Sequence, residues 1–111
     1  MFKKKKIKKY LDNIRTFTTF DLLINDYIQD NLSMKIKEFG VSELEIHVDW
    51  LPEYKSITIT GFYNQYTLEI QIESHEYTIA IDIDEADDYI SYPLDSKDNF
   101  YKMIQDTIDK L

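Results

Sequence analysis

Apolar residues recur along this chain with two periods, and the change from one to the other falls at Gly40. Ahead of it, Ile7, Tyr10, Leu11 and Ile14 fall at i, i+3, i+4 and i+7, the spacing of one helical face. That predicts a helix near 5–15, with Lys filling most of the other positions. Thr16, Thr18 and Thr19 then interrupt the pattern. Thr18 with Asp21 three residues on has capping-box spacing, with Asp in place of the usual Glu. Helical spacing resumes through Phe20, Leu23, Ile24, Tyr27, Ile28, Leu32, Ile36 and Phe39, predicting a helix near 19–39. The Asn31, Leu32, Ser33 step can bend it. Lys35 and Lys37 stand in its last turn, where cations favour the negative helix end, and Gly40 supplies the stop.

Beyond Gly40 the period is two. Leu44, Ile46, Val48 and Trp50 alternate with Glu43, Glu45, His47 and Asp49, a half-buried strand. Ile57 and Ile59 alternate with Thr58 and Thr60. Leu68, Ile70 and Ile72 alternate with Thr67, Glu69, Gln71 and Glu73. Ile79, Ile81 and Ile83 alternate with Thr78, Ala80, Asp82 and Asp84. Turns are expected around Tyr63 and Asn64 and at Ser74 and His75, giving four strands near 43–50, 55–62, 65–73 and 77–84. Short links between them imply an antiparallel meander. Residues 84–93 read as an acidic, aromatic loop ending at Pro93. Asp95 or Ser96 can cap a last helix near 96–110, whose apolar face is Phe100, Met103, Ile104, Ile108 and Leu111.

The predicted class is α+β: a four-stranded antiparallel meander with the N-terminal helices and one C-terminal helix packed on one face. Ile46, Ile59, Ile70, Ile81, Trp50, Leu23, Tyr27 and Ile104 are the expected core. The other sheet face is then lined by Glu43, Glu45, His47, Asp49, Thr58, Thr60, Glu69, Gln71, Glu73, Asp82 and Asp84.

Charge sharpens this picture. The 111 residues carry a formal net charge of −8, unevenly placed. Residues 1–15 hold seven Lys or Arg and one Asp, whereas residues 16–111 hold six basic and twenty acidic groups. A single domain, 1–111, is expected, with a basic N-terminal arm or helix (1–15) joined to an acidic α+β body (16–111). The acidic balance argues against a plain DNA-binding domain, because duplex affinity comes from Lys and Arg neutralising phosphates. With no Cys, disulfides, thiolate nucleophiles and cysteine zinc sites are excluded. No apolar stretch reaches signal-peptide or membrane-span length, so a soluble, cytoplasmic protein without membrane contact is expected.

Candidate chemistry is sparse. Asp82, Asp84, Glu85, Asp87 and Asp88 are hard oxygen ligands, but no Gly stands among them to make the turn of an EF-hand loop. Glu45, His47 and Asp49 share a strand face without the second His that a zinc site favours. A surface imidazole flanked by carboxylates is the simpler reading. Gly-rich phosphate loops, nucleophile elbows and H-E-x-x-H are missing. Neither catalysis nor any metal or other cofactor is therefore expected.

What remains is the acidic face. A one-sided antiparallel sheet often has a merely solvated polar face. Here, however, the density of like charge works against folding, which favours a complementary partner. The expected site comprises Glu43, Glu45, Asp49, Glu69, Glu73, Asp82 and Asp84, the loop acids Glu85, Asp87 and Asp88, and Tyr89 and Tyr92 as interface anchors. The expected partner is a basic protein, either a nucleic-acid-binding protein or a toxin, and no direct contact with nucleic acid is expected. In size and charge the chain resembles two groups of small acidic proteins. These are phage-encoded inhibitors of host nucleases or defence systems, and bacterial immunity proteins that cap a toxin. The likeness implies a non-enzymatic inhibitor, which can mimic nucleic-acid charge. The alternative is a housekeeping adaptor or chaperone whose acidic face keeps it in solution.

Overall fold

The computed structural model describes residues 4–13, 16–82 and 90–111. These form α1 (Lys4–Asp12), α2 (Thr19–Ile28), α3 (Asn31–Glu38), β1 (Ser42–Trp50), β2 (Lys55–Tyr63), β3 (Tyr66–Ile72), β4 (Glu76–Ile81), β5 (Ile90–Pro93) and α4 (Lys97–Asp109). The strands make one antiparallel sheet in chain order, so the α+β meander stands with five strands in place of four.

Local chemistry sets most boundaries. Thr18 caps α2: its hydroxyl accepts from the Asp21 backbone N–H, and the Asp21 carboxylate accepts from that of Thr18. Ser96 caps α4 by accepting from the Asn99 N–H. The predicted 19–39 helix is two helices. Asp30 sits in the left-handed region at φ 62°, which Asp tolerates better than most residues, and the chain turns there. The break escapes the periodicity because Ile28, Leu32 and Ile36 keep helical spacing across it. Tyr63 pairs with Tyr66 across a two-residue turn in which Asn64 takes φ 52°.

The fifth strand lies inside the segment expected to be a loop. Tyr92 pairs with Tyr77 and Ile90 with Ile79, and Pro93 ends the strand at the sheet edge, where a missing N–H is tolerated. β4 is described to Ile81, and residues 83–89 lie outside the described residues.

The core lies between one sheet face and the helices. Ile57, Ile59, Ile70 and Ile72 from the central strands are fully buried, with Ile7, Leu23, Ile24, Leu32, Ile36, Phe100 and Ile104 from all four helices. Burying each such side chain is worth about 1.5–3 kcal/mol. Of the expected core, Ile59, Ile70, Leu23 and Ile104 are buried, whereas Ile46, Ile81, Trp50 and Tyr27 are half-buried at its margin. The helical layer covers the middle of the sheet and thins toward its edges. Two clamps fix that layer. On α1, Tyr10 packs edge-on against Trp50 at 4.8 Å, with the Lys55 ammonium 5.0 Å from the Tyr10 ring and 4.9 Å from the Trp50 ring. Between α2 and α4, buried Asp26 accepts from Lys97 at 2.9 Å and from the Tyr101 hydroxyl at 2.8 Å.

Candidate protein-binding face

The register settles which side chains share the outer face of the sheet. One row across the strands is Glu45, Thr60, Glu69 and Ala80, and the next is His47, Thr58, Gln71, Thr78 and Ser91. Beyond it stand Asp49 and Ser56, and at the β3–β4 turn Glu73 and Glu76, whose backbones hydrogen-bond at 2.8 Å. Carboxylates thus flank a middle row that has none. Glu69 and Glu73 are four residues apart on one strand, about 13 Å.

All the described cations lie elsewhere. Lys residues belong to α1, α3 and α4 or, as Lys110, to the C-cap of α4, apart from Lys55, which pairs with Trp50 on the helix-facing side of β2. No Lys or Arg occupies the outer face at any described position. Its one ion pair among the described residues is between His47 Nε2 and Asp49 Oδ1 at 3.1 Å, both side chains well exposed.

The structure brings Glu45, Asp49, Glu69 and Glu73 onto this face. Glu43 stands at a bulge where β1 slips register between Ser42 and Glu45, itself at φ 50°, and Asp82 follows β4 at φ 62° with its N–H bonded to the Thr67 carbonyl. Asp84, Glu85, Asp87, Asp88 and Tyr89 lie outside the described residues. Tyr92 is on the opposite side of the sheet, half-buried, its ring 5.3 Å from that of Tyr77. It packs against the core there, away from the acidic face.

Three residues of the face escaped sequence reading. Glu76, hidden in the turn, joins Glu69, Gln71, Glu73, Tyr77 and Thr78 around a shallow depression of about 330 Å³. Phe62 is an exposed aromatic paired with Thr67 on this side. Tyr54 reaches over from the β1–β2 loop, where its hydroxyl accepts from the Gln71 amide at 3.1 Å. Phe62 continues the outward parity of Thr58 and Thr60, the signal that finds it. The Tyr54 contact is tertiary and leaves no local signal.

Among the described residues, no three carboxylate or imidazole groups come together to hold a metal ion, and no helix is long and apolar enough to cross a membrane. Compared with known proteins, the chain matches no family model, no curated protein and no solved structure.

Proposed function

We propose that this protein is a non-enzymatic inhibitor that covers a basic surface of a partner protein with the outer face of its sheet. The partner's Lys and Arg, which would otherwise hold nucleic-acid phosphates or serve a toxin, meet Glu45, Asp49, Glu69, Glu73 and Glu76 instead. One observation carries the reading: the acids occupy a face from which every described Lys is excluded, although the chain has 13 basic residues to place. A face kept acidic only for solubility has no need of that segregation, since interspersed cations lower self-repulsion. Complementary potential speeds encounter and rejects wrong partners. Phe62 and Tyr54, each about 40% exposed, supply the aromatic anchors such interfaces favour.

The test is affinity capture from the native host with the tagged full chain at low and high salt, repeated with Glu69→Lys, Glu73→Lys and Glu76→Lys combined. Lys102→Glu on the exposed side of α4 is the control. Basic proteins captured at low salt, released by duplex DNA, lost in the triple variant and kept in the control are the expected result. Capture that survives all three reversals at both salt concentrations overturns the reading.

A further inference from the structure

The free edge of β1 has three properties that belong together. First, it is unpaired. β1 is the first strand of the sheet, and among the described residues no backbone hydrogen bond outside the β1–β2 ladder reaches residues 45–50. Alternate residues there direct an N–H and a C=O away from β2. Second, its inward row is incompletely covered. Ile46 is half-buried while its cross-strand partner Ile59 is fully buried, and Leu44 is likewise half-buried. Third, its outward row carries Glu45 and Asp49 with no Lys or Arg beside them.

We infer that this edge receives an extended segment of the partner as a sixth strand, with Lys or Arg opposite Glu45 and Asp49 and an apolar side chain beside half-buried Ile46. The inference rests on the acidic-face reading and adds its mode: backbone pairing gives affinity, and alternate side chains give specificity. The other occupants fit less well. A second copy paired antiparallel about His47 sets Glu45 against Asp49, and like charges directly opposite are destabilising. Nor is β5 an equal rival, being four residues long and ending in Pro93. The bulge between Ser42 and Glu45 ends the regular ladder, so the docking length is residues 45–50, about 20 Å.

The probe is a nonapeptide of alternating Lys and Val, added to the isotope-labelled full chain and followed by amide shifts and hydrogen exchange. Two further versions carry N-methyl groups, one on every Lys and the other on every Val. Edge pairing slows exchange of the outward amides in residues 45–50 at least tenfold at saturation. One methylated series abolishes the effect and the other leaves it, because only alternate peptide N–H groups face β1. Glu45→Lys with Asp49→Lys removes binding in a chain that keeps its native spectrum. Shifts confined to Glu69, Glu73 and Glu76 without slowing on β1 overturn edge pairing and leave the acidic-face reading standing, as does equal binding by both methylated peptides. Protection at Ile90–Pro93 overturns the choice of edge. An absence of any shift at low salt overturns both readings.

Discussion

Removing the Asp26 carboxylate tests whether the α2–α4 clamp holds the helical layer in place. Asp26 is 4% exposed, with Lys97 Nζ on one oxygen and the Tyr101 hydroxyl on the other. The two partners differ in what they lose. Tyr101 is buried, so Asp26→Ala leaves a hydroxyl without water or acceptor, at about 1–3 kcal/mol. The Lys97 side chain is about one-third exposed and returns its ammonium to solvent, so its pair contributes about 1 kcal/mol or less. The sum for Asp26→Ala is about 1–4 kcal/mol. Tyr101→Phe removes one bond to a charged acceptor and costs about 1.5–3 kcal/mol. Lys97→Ala costs the least, because solvent reaches the vacated side of the carboxylate. The assay is equilibrium unfolding in urea, with slopes compared to exclude a change in the unfolded state. Asp26→Ala combined with Tyr101→Phe should cost about 1 kcal/mol less than the sum of the two, since the double change leaves no orphan hydroxyl. Strict additivity, or Asp26→Ala costing under about 0.5 kcal/mol, refutes the clamp.

Other expectations follow from burial and close approach. Ile70→Ala, at a fully buried position between Ile59 and Ile79, should cost about 2–5 kcal/mol in the same assay, and half-buried Ile81→Ala clearly less. Gly61→Ala should destabilise by about 1–3 kcal/mol, because a Cβ there would lie 2.6 Å from the Val41 side chain and 3.0 Å from the Ser42 carbonyl oxygen. Tyr77→Phe should be neutral or stabilising in thermal melts, since its buried hydroxyl has no hydrogen-bond partner among the described residues. Alkaline unfolding gives the last of these. Burial, then the charges of Asp95 and Tyr92, push the Tyr77 hydroxyl up to about 12, and burial, then the Asp26 hydrogen bond and charge, raise that of Tyr101 further. Both folded values exceed the unfolded one, so their contribution is intact below pH about 10; that of Tyr77 is lost as pH climbs through about 12, and that of Tyr101 goes on falling above it. Tyr77→Phe should flatten that loss, and an unchanged alkaline profile refutes the assignment.

What the sequence disclosed and what it hid divide along the range of the interactions concerned. The Thr18–Asp21 cap, the turn at Asn64 and the change of period at Gly40 are made by residues within a few positions of one another, and each was readable. Outward placement of Glu45, Asp49, Glu69 and Glu73 followed from alternation alone, so much of the candidate face was legible too. The Asn31–Ser33 step signalled a bend, but the full break into two helices at Asp30 was not legible, because the apolar spacing runs through it unbroken. β5 was not, because Ile90 and Tyr92 are too few to establish a period and gain their meaning from Ile79 and Tyr77. Asp26 carries no local signal, because its partners lie 71 and 75 residues on.

The segregation of charge has an energetic consequence that bears on the proposed partner. Two unit charges 10 Å apart in water repel by about 0.4 kcal/mol, and salt at physiological strength reduces this further. Each carboxylate pair on the outer face therefore costs a few tenths of a kcal/mol, a sum that a core of this size tolerates. The same repulsion is relieved when cations arrive, so what is unfavourable in the free protein becomes favourable on binding. Lys residues on the helices form no ion pair with these acids among the described residues and so do not supply that relief. Exposed carboxylates also keep water in the free state, and an interface that dries them must return hydrogen bonds in exchange. Arg does this better than Lys, presenting a planar fork to each carboxylate. The proposed partner should accordingly be rich in Arg, and its capture should weaken as salt rises.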